Sequence, residues 1–166
     1  MFRVIPGQQT SMQAAGTLAG RPVLVCCIIR FGADGSARNG PAPLFMDVDN
    51  PVVKLCIEGA RAEFEGRVGE ARVFYERAWD AATDDYEACI AAHYVARFQD
   101  NPESRLRWNR EALERAYAAG GERVEEFYPS LYLNLGSSYE ALGDPTEAQR
   151  YYDLAAGLGF VHQMES

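Results

Sequence analysis

Cys89 and His93 stand four residues apart. On a helix this spacing puts both side chains on one face, where a thiolate and an imidazole can share a metal ion. Zinc sites ordinarily take three or four protein ligands, and only Cys56 and His162 are at hand to complete such a set. A histidine packed in the interior is the simpler reading of His93. Two acid pairs, Asp84-Asp85 and Glu125-Glu126, set carboxylates side by side. They fall at a helix start and on a polar helix face, where solvated charge near a helix N-terminus accounts for them. No glycine-rich turn joins a strand to a helix in the way that cradles a nucleotide phosphate. The sequence therefore points to no catalytic residue, no cofactor and no metal.

The elements that hold these residues follow from periodicity and punctuation. From Asp49 onward apolar residues recur with a period near 3.6, broken by short loops. Asp49-Asn50-Pro51 opens a first helix, with a capping side chain and then proline in the first turn, and Gly66 ends it. A second helix runs from about Val68 to Ala82. Thr83-Asp84-Asp85 caps a third that ends near Gln99, and Asp100-Asn101-Pro102 opens a fourth that stops at Gly120-Gly121. A fifth spans about Glu122 to Leu142 and should bend or break at Pro129. Gly143-Asp144-Pro145 opens a sixth that fades at Gly157. The two Asp-Asn-Pro openings lack the second proline and the aromatic of the Asn-Pro-Pro-aromatic motif of amino-methyltransferases, and helix capping explains them.

Charge divides the chain. Residues 1–45 carry four arginines (Arg3, Arg21, Arg30, Arg38) and one acid (Asp34), a sum of +3, whereas residues 46–166 sum to −11. A domain of that sign repels phosphate backbones and anionic membranes, so nucleic acid and membrane are excluded as partners. Residues 1–45 are rich in Gly and Pro without helical period and read as an irregular, mostly disordered leader. Val23 to Ile29 is its only strand-like run, and Met46 stands as an alternative start to the chain. That run is too short to cross a bilayer and does not follow signal-peptide order. Adjacent Cys26 and Cys27, with Cys56 and Cys89 on apolar helical faces, match reduced, buried thiols and a cytoplasmic location. A single lysine, Lys54, against fifteen arginines points to a GC-rich, bacterial genome.

Within residues 46–166 the helices repeat. Gly59, Gly66, Ala71, Tyr75 and Ala78 return as Gly136, Gly143, Ala148, Tyr152 and Ala155, each 77 residues later. The last copy adds Leu135 and Tyr139 to give Leu-Gly-x-x-Tyr, followed by Gly143-Asp144 at the turn. This pattern resembles the tetratricopeptide repeat family, over roughly residues 50–157 in three degenerate copies. The resemblance implies an all-α fold, an α-solenoid of antiparallel helical hairpins. Small residues at Gly59 and Gly136 let paired helices approach, and Gly66 and Gly143 permit the turn between them. The middle copy departs: His93 and Arg105 stand where small residues are expected, and the next step is 43 residues. The fourth and fifth helices are accordingly expected to be about a turn longer, with Trp108, Leu113 and Ala116 carrying the core.

In that family the first helix of each repeat lines a concave face that holds an extended peptide or a helix. Carried through the repeat register, the face comprises Cys56, Ile57, Ala60, Glu63 and Phe64, then Glu87, Ile90, Ala91, Tyr94, Arg97 and Phe98, then Leu133, Asn134, Ser137 and Glu140. The partner-binding set implied is Ile57, Glu63, Phe64, Ile90, Tyr94, Arg97, Phe98, Asn134, Ser137 and Glu140. Aromatic and arginine anchors carry much of the energy at protein interfaces. Packing between hairpins is an equally good reading of Tyr94 and Phe98. The carboxylate-clamp form of the family needs several lysines and asparagines, and only Asn134 and Arg97 are present. The expectation is a protein-interaction scaffold or adaptor for a peptide or helical partner; a sensor domain taking a small molecule or signalling peptide is the alternative. The chain ends without a full capping helix, which leaves Leu154, Leu158 and Phe160 partly exposed and available for self-association or a partner.

Overall fold

A computed structural model describes residues 47–159, which hold α1 (Pro51–Phe64), α2 (Val68–Ala81), α3 (Asp85–Arg97), α4 (Pro102–Ala119), α5 (Glu122–Glu125), α6 (Tyr128–Ala141) and α7 (Pro145–Gly157). There is no strand among the described residues. The expected leader, its strand-like run, Phe160 and His162 lie outside them.

Helix starts follow the capping chemistry in the sequence. The side chains of Asn50, Asp84, Asn101 and Asp144 accept from backbone N–H groups that would otherwise be orphaned, and proline occupies the first turn of α1, α4 and α7. Two helix ends are built alike. After α1, Gly66 N–H donates to Glu63 O (3.0 Å) and Arg67 N–H to Ala62 O (2.8 Å). After α6, Gly143 N–H donates to Glu140 O (3.0 Å) and Asp144 N–H to Tyr139 O (3.0 Å). Both glycines take φ 77°, the left-handed value that this terminal motif requires.

The middle of the chain differs from expectation in one respect. α4 has 18 residues against 14 in α1 and α2, so it carries the extra turn. The fifth helix is not lengthened but split. Gly120 and Gly121 both take positive φ, the single turn of α5 follows, and α6 begins afresh at Tyr128 with Pro129 in its first turn. Proline needs no partner for its nitrogen there, so the break comes just before it.

α1 packs on α2, α3 on α4 and α6 on α7, and the pairs are joined through α1–α3, α2–α3 and α4–α6. α3 is the hub, buried on every side from Tyr86 to Ala96. Tyr75, Tyr94, Ile90, Leu131 and Leu135 are the largest fully buried apolar side chains of the core, each worth roughly 1.5–3 kcal/mol of burial. Trp79 and Trp108 meet edge to face at 4.9 Å, and Leu113 and Ala116 are buried, so the expected core of the middle pair is in place. No helix among the described residues is long and apolar enough to cross a membrane.

Candidate partner-binding site

Two joints of the same construction bind the helices. A Cβ on Gly59 would lie 2.4 Å from Tyr75 Cε1, and one on Gly136 would lie 2.3 Å from Tyr152 Cε1. In each, the tyrosine ring rests on the bare backbone of the facing helix. Its hydroxyl then donates to a glutamate one turn beyond the glycine, Tyr75 to Glu63 Oε2 (3.1 Å) and Tyr152 to Glu140 Oε2 (2.8 Å). Burial, and then this bond to Glu140, raise the Tyr152 phenol above its ordinary range, so it stays protonated and donating.

The first joint continues into α3. Arg97 Nη2 lies 2.6 Å from Glu63 Oε1, with the two side chains 22% and 26% exposed. Tyr94 stacks on Tyr75 at 4.8 Å, Phe98 meets the same ring at 5.2 Å, and the Arg97 guanidinium lies 6.0 Å from the Tyr94 ring centroid. The structure thus brings Glu63, Tyr94, Arg97 and Phe98 into one cluster, with Tyr75 at its centre. Ile90, Tyr94 and Phe98, expected to face a partner, are buried at 1%, 0% and 3% exposure, as are Cys56 and Ala91. Their rings and methyl groups fill the space between helical pairs, the packing reading of Tyr94 and Phe98. Phe64, next to Glu63 in sequence at the end of α1, is 55% exposed. Ile57 is half-buried against the core.

A second cluster lies where α3, α4 and α6 meet. Asn134 Nδ2 is 3.2 Å from His93 Nδ1, and Ser138 Oγ donates to the Asn134 carbonyl at 2.8 Å. Asn109 Nδ2 donates to Ser138 Oγ at 2.8 Å, while Asn109 Oδ1 and Ser130 Oγ are buried without a hydrogen bond. Asn109 and Ser138 were not foreseen as site neighbours. The signal was available: Asn109 stands 34 residues after Tyr75, and His93 stands 34 after Gly59. The middle copy thus replaces a small–large pair by a pair of medium, polar side chains. Ser137 and Leu133 are half-buried on α6, and Glu140 is exposed.

The remaining candidates take structural places. Cys89 and His93 are buried at 1% and 2% exposure, and burial pushes the Cys89 thiol up to about 12, away from the thiolate a metal requires. No group of three or more His, Cys, Asp or Glu residues is gathered for a metal among the described residues. Asp84 caps α3, Asp85 pairs with Arg115 at 2.9 Å, and Glu125 and Glu126 are exposed. Glu87 ties two helix starts together, its carboxylate accepting from Asn50 Nδ2 (2.5 Å) and from Thr83 N–H (2.7 Å) and Oγ (2.8 Å). A shallow depression of about 380 Å³ opens on α4, lined by Leu106, Leu142 and the charged side chains of α4 from Glu103 to Glu114.

Compared with known proteins, the chain matches no family model, no curated protein and no solved structure.

Proposed function

We propose that this chain is a protein-interaction module, a short tetratricopeptide-like array that holds a peptide or helical segment of a partner against one face. The observation that carries this reading is the exposed aromatic Phe64 next in sequence to the half-buried Glu63–Arg97 ion pair. Aromatic and arginine side chains carry much of the energy at protein interfaces, and here a largely exposed ring and an arginine occur together. Asn134, Ser137 and Glu140 extend the candidate face along α6 with amide, hydroxyl and carboxylate groups suited to a peptide backbone. The twice-made glycine–tyrosine–glutamate joint supports the array reading, because a repeated joint is what stacking of like units produces.

The test is affinity capture by the full chain from its native lysate, followed by titration of the purified captured protein against wild type, Phe64→Ser and Arg97→Glu. Phe64→Ser should abolish binding at an unchanged helical melt, since an exposed ring contributes little to the fold. Equal affinity for wild type and Phe64→Ser would remove this face from consideration.

A further inference from the structure

The two joints differ in one respect. At the first, Arg97 of the next helix answers the glutamate; at the second, nothing among the described residues does. Glu140 is exposed, accepts from Tyr152, and forms no ion pair with a described residue. The surroundings are otherwise prepared in the same way. Ala148 and Ala155 stand where Ala71 and Ala78 stand in the first pair, and all four are buried. A carboxylate fixed by a tyrosine hydroxyl is what the α1–α2 pair offers to Arg97 of α3.

We propose that the Glu140 end of the α6–α7 pair is a docking site for an arginine-bearing amphipathic helix of a partner protein, seated as α3 is seated on α1 and α2. Charge sets the partner. Glu140 calls for a cation, and arginine can bond it in the directed way that Arg97 bonds Glu63. A second copy stacked head to tail is a poor occupant. Its α1 would bring Glu63, the residue 34 positions before Arg97, against Glu140. Two carboxylates would then meet, and residues 46–166 of both copies carry −11. An arginine-bearing helix from another protein places a cation against Glu140 instead. This inference names a partner chemistry for the interaction module and rests on that reading.

The probe is a fluorescent peptide of residues 85–98, the sequence that fills the equivalent joint within the chain. Titrated with the full-length protein, it should bind saturably. Glu140→Arg should weaken binding at least tenfold, as should an Arg97→Glu change in the peptide, and the two changes combined should restore it. Glu140→Gln, which keeps an acceptor for the Tyr152 hydroxyl, should weaken binding at an unaltered melt and so separates lost charge from lost fold. Binding that responds to Glu63→Arg but not to Glu140→Arg would mean exchange with α3 and would overturn the proposal. So would the absence of saturable binding, or a wild-type dimer in sedimentation that Glu140→Arg dissolves, which would assign the site to a second copy. Loss of the Glu140 effect with the Phe64 dependence intact would remove this site alone and leave the interaction face standing.

Discussion

A methyl group is enough to test the joints. At Gly136 it would enter the Tyr152 ring at 2.3 Å, and at Gly59 the Tyr75 ring at 2.4 Å. Neither ring can retreat cheaply, because each hydroxyl is tethered to a glutamate. Gly59→Ala and Gly136→Ala should each cost about 1–3 kcal/mol in urea unfolding, the usual penalty of overpacking. Gly69 gives the opposite sign: it lies inside α2 with nothing within 4 Å of an added Cβ. Gly69→Ala should stabilise by about 0.5–1 kcal/mol through lost freedom of the unfolded chain. No loss at Gly59 or Gly136 would show that the joints do not pack as described, and a loss at Gly69 would show that its site is not open. The glycines and tyrosines were legible because a repeat marks them twice. The glutamates were legible as members of a face, but not as acceptors for the tyrosines. That role depends on how far a tyrosine reaches across the pair, which spacing along one helix does not encode.

Between elements, the polar contacts decide. Burial pushes the Glu87 carboxyl up, but hydrogen bonds from the Thr83 backbone, the Asn50 amide, the Thr83 hydroxyl and the backbone at Asp84 outweigh it and hold the group below the usual carboxylate range. A folded-state pKa below the unfolded value contributes stability at neutral pH, and that contribution is lost as pH falls through the folded value. Glu87→Gln should therefore be about 1–3 kcal/mol less stable at pH 7. Melts of wild type and variant followed from pH 7 to pH 3 should converge at the acid end; a gap independent of pH would deny Glu87 this role. Asn109 makes the contrasting case. Its Oδ1 is buried without a partner, and Ser138 keeps its bond to the Asn134 carbonyl whether or not Asn109 is present. Asn109→Leu removes an orphaned acceptor and creates none, so it should be neutral to stabilising by about 1 kcal/mol. A large loss would mean that the amide holds α4 to α6. Asn109 escaped the sequence reading because the long step to the third copy was laid to lengthened helices. Part of it is the separate turn of α5, which two positive-φ glycines create and which periodicity does not reveal.

On the scale of the molecule, helix order and pairing were legible from caps, glycines and proline, whereas the seventh helix, the separate turn of α5, was not. The depth to which α3 is enclosed was not. A concave face leaves the first helix of each repeat half open, yet Tyr86 to Ala96 of α3 are buried throughout. That enclosure involves residues distant in sequence, Phe127 against Tyr86 at 5.9 Å and Asn134 against His93 among them. It bears on cooperativity. An array of like units can unfold unit by unit when neighbours share little surface. Here α6 and α7 are tied to the rest through the packing of α6 on α4 and through the contacts of Phe127 and Asn134 with α3. Residues 47–159 should therefore unfold as one body. Gly59→Ala and Gly136→Ala act at joints that share no residue, so in one cooperative unit their costs should add within about 0.5 kcal/mol in the double variant. Helical signal and tryptophan fluorescence report on this differently, because the two tryptophans, Trp79 and Trp108, lie in α2 and α4 and neither lies in α6 or α7. Coincident transitions by both probes in Gly136→Ala are the expected result. An early loss of helix at unchanged fluorescence would show that α6 and α7 melt on their own, and that the α4–α6 contact is a hinge rather than part of the core.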